Sequence, residues 1–178
     1  MPVTGPVSLA TPPGVRRVEA ESAAEMYEAV MKEVGQADIF ISTAAVADYK
    51  PVKPAAQKIK KASESMDLAM ERTTDILATV AARPDRPFVV GFTAETETVE
   101  QNARTKLLKK NLDMIAANEV GHDKAFDCED NELVVLSPSG RHDLGKASKT
   151  ELARALVALI VKIYSERASS TQRGSALA

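Results

Sequence analysis

The second half of the chain alternates between short apolar runs and helix-length segments, and this alternation constrains the fold more than any other feature. Pro87 to Gly91 reads as a buried strand, about Thr96 to Lys110 as a helix, and Leu112 to Ala116 as a second strand ending in Ala117-Asn118. Strands separated by helices in this way imply parallel strands joined by crossover helices, hence an α/β domain with a mostly parallel sheet. Leu133 to Leu136, Ser137-Pro138-Ser139-Gly140 and Arg141 to Leu144 then predict an antiparallel hairpin on the sheet edge. A capping box, Ser148 with Glu151, opens a last helix carrying Leu152, Leu156, Leu159, Ile160 and Ile163.

The first half has fewer clear periods. After a start rich in proline and glycine, Val15 to Val18 fits a short strand, and Ser22 with Glu25 caps a helix whose stripe is Met26, Val30 and Val34, with Tyr27 and Met31 beside it. Gly35 stands where a C-cap glycine belongs. Ile39-Phe40-Ile41 reads as a buried strand ending at Ser42 and Thr43. From Ala44 to about Met66 no period emerges, and a loop of about 20 residues is longer than most connections in a compact domain, so a lid, an arm or a disordered segment is expected. Asp67 to Met70 fits a strand. Thr73-Thr74-Asp75 offers an N-cap for a helix through about Ala82 that turns Ile76, Leu77 and Val80 inward.

A length of 178 residues with 44% hydrophobic and 27% charged content suits one domain with a real core. The net charge of −2 gives no basic field for nucleic acid or membrane, so small anions are the expected partners. Cys128 is the only cysteine, which excludes an intrachain disulfide or a multi-cysteine metal site and points to a reducing cytoplasm. No leader pattern and no run of 18 apolar residues is present, so neither secretion nor membrane spanning is expected.

Several residue groups could carry chemistry. Lys106 and Lys110 lie four apart on the third predicted helix, with Asn102 one turn earlier and Lys109 nearby. Like charges at this spacing repel by about 0.2–0.5 kcal/mol in an isolated helix; a bridging anion and a solvated face both account for them. Lys58, Lys60 and Lys61 sit in the long loop behind Pro51 and Pro54, either as a plain charged surface or as mobile cations able to neutralise a leaving pyrophosphate. Asp48 lies just past a strand end, where it could bind Mg²⁺ held mainly by phosphate oxygens or cap a turn. Asp75 could accept hydrogen bonds from ribose hydroxyls or favour the helix dipole. His122, His142 and Cys128 form neither a metal-binding spacing nor a nucleophile pattern. The glycines give neither G-x-G-x-x-G nor a P-loop, which disfavours an NAD- or flavin-binding protein.

Taken together, Ala44-Ala45-Val46-Ala47-Asp48-Tyr49, Lys58-Ile59-Lys60-Lys61, Gly91-Phe92-Thr93-Ala94-Glu95-Thr96 and Lys110-Asn111-Leu112-Asp113-Met114-Ile115-Ala116-Ala117-Asn118 resemble phosphopantothenoylcysteine synthetase in order and spacing, over roughly Gly5 to Tyr164. The resemblance implies a Rossmann-like three-layer fold, a homodimer, and a fused or associated flavin-dependent decarboxylase. It also implies a two-step ligase reaction of coenzyme A biosynthesis. The carboxylate of 4′-phosphopantothenate attacks CTP to give an acyl-cytidylate and pyrophosphate, and L-cysteine then displaces CMP. Matched motif to motif, Ser42, Thr43, Ala44 and Asp48 fall where the family contacts CTP and its Mg²⁺, and Lys58 falls on the catalytic lid lysine. Thr74, Asp75, Ile76 and Leu77 align with the segment lining the nucleoside site, Phe92 with a nucleotide-contacting aromatic, and Lys106 and Lys110 with phosphate-binding lysines. Thr74 stands where the family commonly has proline, and Gln57 where an acidic residue often precedes the lid lysine. The family's domain opens with a strand, a glycine-rich turn and an asparagine-containing loop, and this sequence begins after them. The expectation is therefore an N-terminally truncated domain over residues 1–166 with a disordered tail at 167–178. Its activity is either that of the ligase or that of a catalytically incomplete CTP-binding, dimerising fragment.

Overall fold

The computed structural model describes residues 1–60, 64–120 and 130–175. Lys61, His122 and Cys128 lie outside the described residues.

The segments predicted to alternate do so. A central five-stranded sheet has the order β3-β6-β7-β8-β9, formed by β3 (Ile39–Ser42), β6 (Phe88–Glu95), β7 (Met114–Glu119), β8 (Asp130–Ser137) and β9 (Gly140–Ser148). β3, β6 and β7 run parallel, while β8 and β9 form the antiparallel hairpin at one edge. The parallel links are made by α2 (Ile76–Ala81), which precedes β6, and α3 (Val99–Lys109), which joins β6 to β7. α1 (Ala23–Glu33) precedes β3 and α4 (Lys149–Ser175) follows β9.

The sheet's alternation of side chains sorts the core into two halves. On one face Val89, Ile115, Ala117 and Leu136 pack with Val30 and Val34, Ile76 and Val80 of α2, and Ala103 and Leu107 of α3. On the other, Phe88, Val90, Met114, Ala116 and Val135 pack with Leu152, Leu156 and Ile160 of α4. A parallel strand covered on both faces must be apolar at consecutive positions, which is why Phe88-Val89-Val90 and Met114-Ile115-Ala116-Ala117 carry no polar side chain. These are the three layers of the expected fold.

Both predicted capping boxes form. Ser22 Oγ accepts from the Glu25 N–H at 3.2 Å, and Ser148 Oγ from the Glu151 N–H at 3.3 Å, with Glu151 Oε2 accepting in return from the Ser148 N–H at 3.2 Å. α1 ends otherwise than expected. It runs into a 3₁₀ turn over Val34–Gln36, and Gly35 is not among the residues with positive φ, so the turn tightens without a left-handed glycine. α3 starts later than expected, at Val99, behind Thr98 with φ of 47°. It ends where Asn111, with φ of 53°, turns the chain so that the Leu112 N–H reaches the Leu107 carbonyl at 2.9 Å.

Three more differences concern the first half and the tail. β1 (Val3–Thr4) lies within the start expected to be irregular, and it pairs in parallel with β2 (Val18–Glu19) as a separate two-stranded sheet. The long loop is an arm: β4 (Tyr49–Pro51) pairs antiparallel with β5 (Met70–Arg72), and the Val52 N–H donates to the Ala69 carbonyl at 3.0 Å. The tail expected to be disordered from residue 167 is helical as far as Ser175, because α4 continues there without interruption. Arg167 secures that extension by binding Asp113 and lying over the Phe88 ring, 5.9 Å from its centre. Among the described residues no helix is long and apolar enough to cross a membrane.

Candidate functional site

Because β3, β6 and β7 are parallel, their carboxyl ends share one edge of the sheet, the edge at which open α/β folds hold ligands. The predicted residues cluster there in three groups, each placed by a different element.

The first group follows β3. Ser42 is half-buried opposite Gly91, and Thr43 and Ala44 are exposed. All three line a cavity of about 640 Å³ that also touches Ile76 and is walled on its far side by residues of β1 and α1, including Thr4, Met26 and Glu33. Gly91 eases this packing: a Cβ there would come within 2.9 Å of Leu112 Cδ1 and 3.0 Å of Leu77 Cδ2, so glycine lets both leucines lie against the strand without shifting.

The second group is the arm and its base. Thr73 fastens the base, its hydroxyl donating to the Ala47 carbonyl at 2.5 Å and its N–H to the Asp48 carbonyl at 2.9 Å. Asp48 is exposed, and its carboxylate has no partner among the described residues. Lys50 pairs with Glu71 across the arm at 3.3 Å. Lys58 lies in the exposed stretch between the two arm strands, without an ion-pair partner among the described residues.

The third group faces α3. Asp75 is the N-cap of α2, accepting from the Ala78 N–H at 2.9 Å, so the capping role read from sequence is the one observed. It also takes the ammonium of Lys110 at 2.7 Å. Burial pushes the Asp75 carboxyl up, but the Lys110 and Ala78 hydrogen bonds outweigh it and hold the group below the usual carboxylate value. Thr74 is exposed, Ile76 is buried in the core, and Leu77 is half-buried against it. Lys106 donates to Thr93 Oγ1 and to Glu95 Oε1, both at 2.6 Å. The two lysines, for which a bridging anion and a solvated face were both open, each hold a carboxylate, which offsets their mutual repulsion.

Phe92 belongs to β6 but packs against the cluster on the α4 side, the face opposite Thr93 and Glu95. It reaches the strand end from the other side of the sheet.

Sequence reasoning quoted Thr93 and Glu95 within a motif without giving either a role. The signal was present: two polar residues two apart at the end of an apolar strand share one face, and a following helix offers a lysine to it. Glu95 Oε1 accepts from the Thr93 hydroxyl at 2.5 Å and Glu95 Oε2 from Asn102 Nδ2 at 3.1 Å. Burial raises the Glu95 carboxyl, and the bonds from Lys106, Thr93 and Asn102 more than reverse this. Both carboxylates are thus held in their charged form, each against a lysine, an arrangement suited to a phosphorylated ligand.

Known proteins share the sequence and the fold of this chain. A Vibrio cholerae protein, coenzyme A biosynthesis bifunctional protein CoaBC, is 49% identical over 162 residues, covering 89% of this chain and 41% of its own length. The Escherichia coli K12 protein of the same name is 44% identical over 170 residues, covering 93% and 42%. The chain thus spans about two-fifths of the length of these relatives. The crystal structure of the C-terminal domain of a coenzyme A biosynthesis bifunctional protein CoaBC superposes with a TM-score of 0.74 at 33% identity, covering 92% of this chain and 74% of that one. A DNA/pantothenate metabolism flavoprotein from Streptococcus pneumoniae shares the fold, with a TM-score of 0.72 at 18% identity over 91% and 80%. Residues 1–164 match the family described as the DNA/pantothenate metabolism flavoprotein C-terminal domain, and the chain belongs to that family, as its resemblance to phosphopantothenoylcysteine synthetase implied.

Proposed function

We propose that this domain performs the ligase chemistry of coenzyme A biosynthesis: CTP-dependent activation of 4′-phosphopantothenate to an acyl-cytidylate, then amide formation with L-cysteine to give phosphopantothenoylcysteine, CMP and pyrophosphate. The observation that carries the reading is that Lys106 and Lys110 are each fixed by a carboxylate, Lys106 by Glu95 at the carboxyl end of β6 and Lys110 by Asp75 at the start of α2, just after the base of an arm that carries Lys58. Activation of a carboxylate on an α-phosphate needs cations to disperse charge on the leaving pyrophosphate and a means of holding both reactants, and it needs no protein nucleophile.

Lys106 and Lys110 would bind phosphoryl oxygens, and Lys58, on its exposed stretch, would close over them. Ser42, Thr43, Ala44, Thr74, Asp75, Ile76 and Leu77 would line the nucleoside side, and Phe92 would meet it from the opposite face. The unpartnered Asp48 carboxylate fits Mg²⁺, which takes one or two protein carboxylates and otherwise phosphate and water oxygens; when bound, the ion would neutralise phosphate charge. Function as a homodimer in the cytoplasm belongs to the same proposal, and so does fusion to a decarboxylase, which the bifunctional relatives support.

A second reading, a CTP-binding or dimerising unit without turnover, is favoured by the cavity between β1 and β3, which no strand among the described residues fills. One assay separates the two. Pyrophosphate release from CTP should require 4′-phosphopantothenate, and CMP release should require added cysteine, measured on this chain and on a form extended upstream. Lys58→Ala should lower turnover at least about 100-fold with a smaller effect on CTP affinity, as expected when a charge-stabilising donor is lost. Full turnover by that variant removes Lys58 from the mechanism. Thermal stabilisation by CTP without either product supports the binding unit.

A further inference from the structure

Lys106 has three ammonium N–H groups, and two are engaged, by Thr93 and Glu95. Glu95 is the hub of the group. Its carboxylate takes Lys106, the Thr93 hydroxyl and the Asn102 amide, and its side chain is only 16% exposed against 47% for Lys106. Asn102 in turn donates to the Glu97 carbonyl at 3.2 Å, which ties the carboxylate to the turn between β6 and α3. The lysine therefore sits in one place at the strand end with one N–H unengaged among the described residues.

We infer that Glu95 is a positioning residue for anion binding: it holds the Lys106 ammonium at the carboxyl end of β6 so that a phosphoryl oxygen takes the remaining N–H with the ion pair intact. This rests on the nucleotide role proposed for Lys106. The loss of rotamer freedom of a long lysine is met during folding rather than on binding, which favours the bound state. The opposite arrangement, a carboxylate that the anion must displace, would mask the lysine, and removing Glu95 would then strengthen binding.

The test is titration calorimetry of CTP with Mg²⁺ against the wild type, Glu95→Gln, Lys106→Met and the double variant, in this chain or in its upstream-extended form, whichever binds. Lys106→Met should weaken binding about tenfold or more, the effect of losing a charged hydrogen bond, and Glu95→Gln should weaken it about three- to tenfold. If Glu95 acts through Lys106, the double variant should bind within about twofold of Lys106→Met alone. Tighter or unchanged binding by Glu95→Gln, while Lys106→Met weakens it, overturns the positioning role and leaves the lysine's role standing. Additive losses also overturn it, because Glu95 would then act on the turn independently of Lys106. No loss in Lys106→Met overturns the nucleotide role of Lys106 and the inference together. Should Glu95→Gln fail to fold, Thr93→Val removes the hydroxyl that shares both Glu95 and Lys106 at nearly constant shape, and the same non-additivity with Lys106→Met is required.

Discussion

β3 and β6 pair over four residues, Ile39↔Phe88 to Ser42↔Gly91, yet the two strands live in different surroundings. Val89 and Val90 are fully buried, whereas Ile41, bonded opposite Val90, is 41% exposed. β6 has a strand on each side and helices on both faces, while β3 has a neighbour on one side only within the five-stranded sheet. Burial of apolar area drives folding, so the stability of this domain resides in β6, β7 and the helices that clamp them. Most of the candidate ligand-contacting residues hang from the less buried side: Ser42 to Asp48, the arm, and the first turn of α2. Lys106 and Glu95 bridge the two, since they grow from the rigid part toward the open one.

The comparison breaks most severely at Asp113. Its carboxylate takes Arg86 in a two-pronged pair at 2.8 and 3.0 Å, the Val89 N–H at 2.7 Å and Arg167. It thereby joins β6, β7 and the end of α4 at the edge opposite the candidate site. Asp113→Ala leaves a half-buried guanidinium and a buried amide without their acceptor, and should cost about 3–5 kcal/mol in denaturant unfolding. A loss under about 1 kcal/mol would mean that α4 and the sheet are not fastened there.

The next test sets the edge strand β3 against the buried strand β7. Met114→Ala, at a site of zero exposure, should cost about 2–5 kcal/mol, and Ile41→Ala, on the exposed edge strand, clearly less. Equal losses would show that β3 is as well covered in solution as β7, and the contrast between the two regions would fall.

The same contrast explains what could be read from sequence. The buried parallel strands were legible because burial on both faces forces consecutive apolar residues, and the capping boxes around Ser22 and Ser148 were legible because they are local. β4 escaped because Tyr49 and Lys50 are exposed and its pairing to Met70–Arg72 lies across some twenty residues, so no period of two with an apolar face exists to be seen. The end of α4 escaped because its composition after Glu166 is polar; the helix persists where Arg167 gains Asp113 and Phe88, contacts far away in sequence. At the site, Lys106, Lys110 and Asp75 were legible as residues, but their partners were not. Lysines four apart on a helix announce repulsion, and only the fold brings Glu95 and Asp75 to relieve it.

The smallest expected effect concerns that relief, and it sharpens the comparison by separating a cap from an ion pair. Asp75 caps α2 and also binds Lys110, with its carboxyl held below the ordinary value. A carboxyl whose folded-state pKa is depressed adds stability that is present above the unfolded pKa and is lost as pH falls through the folded one. The wild type should therefore lose this increment from about pH 5 downward, since the unfolded group titrates near 3.8. Asparagine caps helices about as well as aspartate, so Asp75→Asn removes the ion pair and keeps the cap. The variant should be less stable than the wild type at pH 7 by about 0.2–1 kcal/mol, the range of solvent-screened pairs, and the difference should narrow as the pH falls below the unfolded value of 3.8. Urea unfolding of both proteins across pH 3–7 gives the two curves. Parallel curves would assign the whole contribution of Asp75 to the cap and leave Lys110 uncommitted before any ligand arrives. Converging curves would mean that Lys110 is fixed in place by Asp75 before any ligand arrives, as Lys106 is by Glu95.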